Sequence, residues 1–258
     1  MIDDCSTDAT GQAAAEAGAR VIRHERNLGE AGARNTGVAA ASQPWIGLLD
    51  SDDEWLPGLL ATLWPMHREH VLLAGSALYR GPDPASDRYA GPTLRRPRVL
   101  RSPAELLYPE NVLPASGVLV RTDAIRTVGG FDARLKFCAD LDVWLRVLER
   151  GTGILSPDVV VNYHLHPGQV TQDRDGMAQM GLAVLRSYAD RSWWSGRRVE
   201  AWRGGAAWDR LRRELAGGQY RAAATAGAFI LRRPVRVAGL LGILVRRRLM
   251  RRRTRLLG

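Results

Sequence analysis

Short apolar runs alternate with helical patterns along most of the chain. Runs of strand length occur at residues 21–24, 45–49, 71–76, 116–121 and 154–161. Helices are predicted between and after them, at residues 9–17, 33–41, 57–70, 124–128 and 140–150. Because strands that alternate with helices form parallel sheets, the pattern predicts an α/β fold with a doubly wound, mostly parallel sheet.

The last third of the chain is predicted to be helical. A helix is expected at residues 177–189, and a helix pair broken at Gly217 and Gly218 at residues 211–226. The helical spacing of four tryptophans favours packing into a core or a membrane-interface belt; these are Trp193, Trp194, Trp202 and Trp208. Residues 80–101, rich in Pro and Arg, predict a surface loop.

Charge is distributed unevenly along the 258 residues. The net charge is +10, yet residues 232–258 hold ten arginines and no acid, and the remainder has 27 basic and 27 acidic residues. This tail also has two apolar segments, 222–231 and 237–245, too short to span a bilayer. The pattern is typical of an element that lies on an anionic membrane surface, and a disordered arginine-rich end is the alternative.

An acidic stretch, Asp50-Ser51-Asp52-Asp53-Glu54, directly follows the apolar run at 45–49. A strand that leads into clustered carboxylates places them at a sheet edge, where ligands of open α/β sheets bind. Carboxylates two residues apart, as in Asp50 and Asp52, favour Mg²⁺ or Mn²⁺, which leaves coordination positions for a diphosphate. A solvated acidic turn in which Asp53 caps the next helix is the alternative.

Three motifs, taken in order, resemble those of family 2 glycosyltransferases, which have the GT-A fold. They are Asp3-Asp4-x-Ser6-Thr7-Asp8, Asn27-x-Gly29-x-x-x-Ala33-Arg34-Asn35-x-Gly37 and Leu49-Asp50-x-Asp52-Asp53-x-x-x-Pro57. The resemblance implies a nucleotide-diphosphate sugar as donor, with Asp4 on the nucleobase and Asp50 on the ribose side. It implies that Asp52 binds Mg²⁺ or Mn²⁺, with Arg34 in the donor site and Asp3 as an accessory residue.

A fourth motif resembles the acceptor site of the same family. It consists of Gly129-Gly130-Phe131-Asp132, followed by Ala139-Asp140-x-Asp142-x-Trp144-x-Arg146. The resemblance implies that Asp140 is the general base of an inverting transfer, and Asp140 as a simple helix cap is the alternative. His166 matches a later histidine of the family, which would contact the diphosphate or the metal, or pack beside the acceptor.

Two departures from the family pattern stand out. Family members begin roughly 30 residues earlier, with a further strand and helix, so the resemblance implies that the first strand is missing here. Cys5 stands where the family commonly has Gly. With Cys138 it makes two cysteines without metal-ligand spacing, which predicts reduced thiols in a cytoplasmic protein.

The expected organisation is a GT-A domain at residues 1–175 and a helical basic extension at 176–258. The nucleotide-sugar half would cover residues 1–78 and the acceptor half residues 79–175. The expected acceptor is a glycan or lipid-linked glycan in cell-surface polysaccharide or glycolipid assembly, at the inner face of the cell membrane where the tail contacts it. An inactive relic or binding module is the alternative. Nucleic-acid binding is disfavoured because the body of the chain is neutral.

Overall fold

The computed structural model describes residues 1–84, 87–90, 94, 96–107 and 113–231. The strands within these residues are β1 Ile2–Asp3, β2 Ile22–Arg23, β3 Trp45–Gly47, β4 Asp53–Trp55, β5 Leu72–Arg80, β6 Arg88–Ala90, β7 Arg98–Leu100, β8 Val118–Arg121 and β9 Gly153–His164. The α-helices are α1 Thr10–Glu16, α2 Gly29–Ala40, α3 Leu59–Leu63, α4 Thr122–Thr127, α5 Ala139–Leu148, α6 Arg174–Ser187, α7 Gly196–Ala216 and α8 Tyr220–Leu231.

The described strands form two sheets. β1 and β2 pair in parallel as a two-stranded sheet. The larger sheet has the order β3-β8-β5-β9-β4, with β6 beside β5 and β7 beside β9. Its long central pair, β5 and β9, is parallel, and the shorter strands join through antiparallel pairings. The continuous apolar sequence of β5 fits a strand that is covered on both faces.

Helix α5 lies at the centre of the hydrophobic core. Eight of its ten residues are buried, including the predicted apolar face. The fully buried Trp144 ring meets Phe131 edge-on, with 5.9 Å between ring centroids. Burial of a large apolar side chain of this kind stabilises a fold by about 1.5–3 kcal/mol. The contact therefore holds the loop around Phe131 against the helix that carries Asp140.

Helix α2 begins at Gly29, so the helix start predicted at residue 33 was too late in the chain. The Asp4 carboxylate accepts the first N–H groups of this helix, from Leu28 and Gly29, each at 2.8 Å. A carboxylate at this position satisfies donors that the helix itself leaves unpaired. The cap comes from a distant part of the chain, which explains why local sequence signals placed the helix start too late.

Two further predictions need correction. The helix predicted at 57–70 is shorter, because Pro65 follows α3 in the 3-10 turn Trp64–Met66. The surface loop predicted at 80–101 contributes the short strands β6 and β7, which pair with β5 and β9. Residues 85–86, 91–93 and 95 of that predicted loop lie outside the described residues.

The helical prediction for the last third is confirmed as far as the structure describes it. The break at Gly217 and Gly218 separates α7 from α8. Trp193, Trp194 and Trp202 pack against the core cluster that contains α5, as the core interpretation expects. Residues 222–231 belong to α8, whereas the apolar segment at 237–245 and the arginine clusters lie outside the described residues. Among the helices that the structure describes, each is too short or too polar to cross a membrane.

Candidate functional site

The acidic stretch forms a loop between β3 and β4 that Ser116 holds in place. The Ser116 hydroxyl accepts the N–H of Asp50 at 3.0 Å and donates to Asp53 Oδ2 at 2.5 Å. The Ser116 carbonyl accepts the indole N–H of Trp55 at 2.6 Å. Three contacts to one fully buried residue give this acid loop (residues 48–53) a fixed path. Ser51 and Asp52 at its tip form an exposed turn, as the alternative expects, whereas Asp53 is held by Ser116.

The Asp53 carboxylate ties the acid loop to neighbouring parts of the fold. It begins β4 and also accepts the N–H of His164 at 3.2 Å. Burial raises the pKa of Asp53 to about 6, against the opposing hydrogen bond from Ser116. Asp53 does not cap the next helix, because α3 follows Gly58 in the left-handed conformation.

Arg34 connects several predicted site residues. Its guanidinium donates to Asp50 Oδ1 at 2.6 Å and pairs with Glu30, one turn earlier on α2. Its Cζ lies 5.5 Å from the centroid of the Phe131 ring, in cation–π range. Its positive charge also acts on Asp140 at the start of α5. Carboxylates from α2, the acid loop and α5 therefore surround one guanidinium.

Asp140 lies in the first turn of α5. The residue before the helix is Cys138, whose φ of 60° lies in the left-handed region, so Asp140 is not the N-cap. The Asp140 carboxylate accepts the N–H of Leu141 at 2.7 Å. Burial raises the pKa of Asp140, and the charge of Arg34 opposes that rise. A raised pKa brings a carboxylate closer to the range in which a general base is effective near neutral pH.

Asp52 extends from the acid loop toward the segment after β9. Its Oδ2 lies 3.0 Å from His166 Nε2 and accepts the amide N–H of Gln169 at 3.4 Å. Burial acts to raise the pKa of Asp52, but the hydrogen bonds from His166 and Gln169 outweigh it and the pKa lies below its ordinary value. Asp52 is therefore ionised and partly exposed, and its polar neighbours are the side chains of His166 and Gln169.

Asp4 lies at the end of β1, where it holds the N-terminus of α2. Besides the two N–H groups of that helix, its carboxylate contacts His24 Nδ1 at 2.7 Å. These contacts leave about one of four acceptor positions of the carboxylate open. The preceding Asp3 is fully buried and accepts from Ser6 N at 2.9 Å and Arg23 at 3.1 Å.

Sequence reasoning missed four residues of the site, which are His24, Glu30, Ser116 and Gln169. Glu30 and Arg34 have the i, i+4 spacing of a helical ion pair, a signal that an earlier helix start would have revealed. Ser116 has no local signal, because its partners Asp50 and Trp55 are 66 and 61 residues away. Of the predicted residues, the structure gathers Arg34, Asp50 and Asp140, and it brings His166 to Asp52.

The fold and the arrangement of the site together indicate one class of enzyme. Carboxylates in a loop after a sheet strand, a glycine-containing helix start and a partly buried carboxylate at the start of a second helix are typical of GT-A glycosyltransferases. The family model for glycosyl transferase family 2 matches residues 1–129, half of the chain, and the chain belongs to this family. The matched region includes the first three motifs and ends before Asp140.

Curated relatives share part of their length with this chain. The pre-mycofactocin glycosyltransferase of Mycobacterium tuberculosis is 29% identical over 189 residues, which cover 69% of this chain and 39% of the relative. The succinoglycan biosynthesis protein ExoU of Rhizobium meliloti is 37% identical over 105 residues, which cover 37% of this chain and 30% of the relative. The chain thus spans about two fifths of the mycobacterial relative.

Solved structures share the fold at low sequence identity. The mannosyltransferase PcManGT from Pyrobaculum calidifontis, in complex with GDP-Man and Mn²⁺, has a TM-score of 0.58 and 19% identity, over 96% of this chain and 75% of that chain. S. aureus TarS 1–349 in complex with UDP-GlcNAc has a TM-score of 0.56 and 13% identity, over 87% and 80%. These likenesses confirm the predicted α/β fold of GT-A type.

Proposed function

We propose that this chain transfers a sugar from a nucleotide-diphosphate donor to an acceptor hydroxyl, with inversion at the anomeric carbon. The observation that carries the proposal is the cluster in which Arg34 contacts Asp50 and faces Asp140, beside the partly exposed Asp52. In this cluster Asp50 would bind the donor, Asp52 would hold the cation at the diphosphate, and Asp140 would accept a proton. Family membership and the two neighbours with bound nucleotide sugars support the same assignment.

The donor would lie across the start of α2 and the acid loop. Asp4 would accept an N–H of the nucleobase at its remaining acceptor position, because its other contacts hold it still. Asp50 would accept a ribose hydroxyl, oriented by its backbone bond to Ser116 and by Arg34. These carboxylates would be positioned before the donor arrives, which reduces the cost of ordering the site.

A divalent cation fits the acid loop. Asp52 is ionised and partly exposed, and oxygen ligands of this kind suit Mg²⁺ or Mn²⁺. Within the part of the chain that the structure describes, no group of three His, Cys, Asp or Glu side chains could hold an ion. That finding suits a cation held by Asp52 and the donor diphosphate together, with His166 nearby. A bound cation would offset the negative charge of the leaving diphosphate.

Asp140 would act as the general base. It would accept the proton of the acceptor hydroxyl while the oxygen attacks the anomeric carbon and the nucleotide diphosphate leaves from the opposite face. A single displacement of this kind inverts the configuration and needs no carboxylate nucleophile. Arg34 would keep Asp140 ionised against the effect of its burial.

The acceptor is proposed to be a glycan or lipid-linked glycan of cell-surface polysaccharide assembly. Similarity to the succinoglycan biosynthesis proteins ExoO and ExoU supports that class. We include in the proposal a peripheral contact with an anionic membrane surface, supported by the ten arginines after residue 231. Such a contact would hold the chain near a lipid-linked acceptor.

The test is donor turnover measured on a panel of UDP- and GDP-sugars with Mn²⁺, with EDTA, and with EDTA followed by excess Mn²⁺. Turnover of at least one donor should require the metal and return when it is restored. Asp52→Asn should reduce turnover by about 10²- to 10³-fold, the range for the loss of one charge-stabilising group. The control Asp190→Asn makes the same change at an exposed acid far along the chain. Turnover that is indifferent to EDTA and to Asp52→Asn would contradict the proposal.

A further inference from the structure

A histidine to which the proposed transfer gives no role, His24, lies beside Asp4. β1 and β2 pair in parallel with Asp3 opposite Arg23, so Asp4 and His24 leave their strands at the same edge of the small sheet. The backbone N–H of His24 donates to the Asp3 carbonyl at 2.9 Å, which holds the His24 backbone against β1. The His24 side chain is only 10% exposed, and its ring contacts the Asp4 carboxylate. The two side chains therefore form a mostly buried pair.

The hydrogen bonds of Asp4 show what this histidine does to the carboxylate. A carboxylate has about four acceptor positions, two on each oxygen. Oδ1 accepts the N–H of Leu28 at 2.8 Å and lies 2.7 Å from His24 Nδ1, so both of its positions are filled. Oδ2 accepts the N–H of Gly29 at 2.8 Å, which leaves one position open on that oxygen. His24 thus decides which oxygen of Asp4 is available to a ligand.

The hydrogen on His24 Nδ1 follows from the charge of its partner. Burial acts to raise the pKa of Asp4, but the hydrogen bonds from His24 and from the start of α2 outweigh it, and the pKa lies below its ordinary value. An ionised carboxylate only accepts hydrogen bonds, so Nδ1 carries a hydrogen and donates it to Asp4. This holds for the neutral ring and for the protonated ring alike.

The other nitrogen of the ring connects the pair to α2. His24 Nε2 lies 2.9 Å from the hydroxyl of Thr36, about two turns into the helix that Asp4 caps. That hydroxyl also lies 3.2 Å from the carbonyl of Gly32. It can accept from a protonated ring while it donates to the carbonyl, or it can donate to Nε2 of a neutral ring. In both cases His24 is bonded at both nitrogens, so the ring is held toward Asp4.

We propose that His24 is a positioning residue for donor binding, which holds the Asp4 carboxylate so that the open position of Oδ2 meets the nucleobase. The proposal rests on the proposed function, in which Asp4 accepts an N–H of the base. Without His24, each oxygen of Asp4 would keep an open position, and one of the contacts that fix the carboxylate would be lost. Ordering the carboxylate would then cost part of the binding free energy of the base.

The experiment is calorimetric binding of UDP, GDP and inorganic pyrophosphate to the whole chain in the presence of Mn²⁺. Pyrophosphate has no base, so it reports on the diphosphate site alone. His24→Leu removes the donor and keeps a side chain of similar size. It should weaken binding of the preferred nucleotide by about tenfold, the effect of about one hydrogen bond to a charged group. Pyrophosphate binding should stay the same.

A conservative variant and a matched control accompany His24→Leu. In His24→Asn the amide nitrogen is bonded to Cγ, as Nδ1 is in histidine, so it can donate to Asp4 and should restore most of the nucleotide affinity. The control is His70→Leu, because His70 is also buried and its Nδ1 lies 2.8 Å from the Thr152 hydroxyl. His70 precedes β5, which runs parallel to β3, so it lies at the end of the larger sheet opposite the acid loop. This control should leave nucleotide binding unchanged, and every variant is checked for an unchanged thermal midpoint.

A spectroscopic measurement tests the proposal on the unaltered chain. Long-range ¹H–¹⁵N correlation spectra identify the nitrogens of each histidine ring that carry hydrogen, and the signals of His24 are those that disappear in His24→Asn. At neutral pH, Nδ1 of His24 should carry a hydrogen. A ring with hydrogen on Nε2 alone would overturn the proposal, because Nδ1 could not then donate to Asp4.

The possible results separate this proposal from the proposed function. Nucleotide binding that is equal in His24→Leu and the unaltered chain overturns the role of His24 and leaves the proposed function in place. Equal loss of nucleotide and pyrophosphate binding in His24→Leu overturns it as well, since that result indicates general damage to the fold. The same loss of nucleotide binding in His24→Asn as in His24→Leu has the same meaning, because the donor at Cγ would then be irrelevant. A chain that binds neither UDP nor GDP contradicts both proposals.

Discussion

Asp3 and Asp4 lie at the end of β1, and Asp50 and Asp52 follow β3, so two pairs of carboxylates occupy similar places in the chain. The first pair is 0% and 19% exposed, and the second is 32% and 39% exposed. Backbone N–H groups account for most contacts of the first pair, whereas the side chains of Arg34, His166 and Gln169 contact the second. Side chains exchange partners when a ligand arrives, and backbone donors in a folded element do not. The two pairs thus differ in how firmly the fold holds each carboxylate and in how much of it a ligand can reach.

The largest effect is expected at Asp140, whose charge is coupled to Asp50 and to Arg34, the partner of Asp50. Asp140→Asn removes the proposed proton acceptor and should lower transfer to an acceptor by about 10²- to 10⁴-fold. Binding of the nucleotide should persist, because the proposed donor contacts come from other residues. Rate and nucleotide affinity are measured separately, with Asp190→Asn as the control. Unchanged transfer by Asp140→Asn would remove Asp140 from the mechanism.

The difference between the two pairs of carboxylates should also appear in the free energy of unfolding. Asp4→Ala removes the acceptor for the first N–H groups of α2 and should destabilise the chain by about 2 kcal/mol. Asp52→Ala, which removes an exposed carboxylate, should change it by less than about 0.5 kcal/mol. Denaturant unfolding of both variants gives the two values. Equal losses at the two positions would show that the distinction between the pairs is mistaken.

The pH dependence of the transfer rate tests whether the charge of Arg34 controls the pKa of Asp140. The positive charge of Arg34 lowers the pKa of Asp140, so Arg34→Gln should raise that pKa and move the acid limb of the rate profile to higher pH. The pKa of Glu30 is raised by burial, and Glu30 and Asp140 repel each other when both are ionised. Glu30→Gln should therefore move the same limb to lower pH. Arg34→Lys keeps the charge and serves as the control. Shifts in the same direction for Glu30→Gln and Arg34→Gln would contradict the electrostatic account.

The smallest expected effect is a change in stability at Cys5, in the turn that follows Asp3 and Asp4. Cys5 has a φ of 69°, a left-handed conformation that is strained for a residue with a Cβ. Cys5→Gly should stabilise the chain by about 0.5–1 kcal/mol, after the entropy cost of glycine is subtracted. Thermal unfolding measures this as a rise of a few degrees in the midpoint. Cys5→Ala keeps the Cβ and should give no such rise.

Local patterns predicted much of the fold for identifiable reasons. The apolar faces of α5 and the glycine break after α7 are short-range signals, and both predictions are confirmed. β4 was missed because two of its three residues, Asp53 and Glu54, are acidic, and the segment becomes a strand by pairing with β9. The start of α2 was misplaced because its cap, Asp4, is 24 or more residues away in sequence.

The site was predictable to the extent that motifs record it. Family motifs pointed to Arg34, Asp50 and Asp140, which the structure gathers, although their roles stay predictions. They did not point to Ser116, since a serine before a strand has no distinctive pattern and acts only through tertiary contacts. The hydrogen bonds that distinguish Asp4 from Asp52 are likewise tertiary.

The most direct test of the central claim is calorimetric binding of UDP and GDP to the unaltered chain and to Asp52→Asn, with and without Mn²⁺. The account predicts that one nucleotide binds the unaltered chain in a Mn²⁺-dependent manner, and that Asp52→Asn loses the Mn²⁺-dependent part while its unfolding free energy is unchanged. Nucleotide binding that is equal with and without Mn²⁺ and equal in the two proteins would contradict the assignment of the acid loop as the site of the metal and the donor diphosphate.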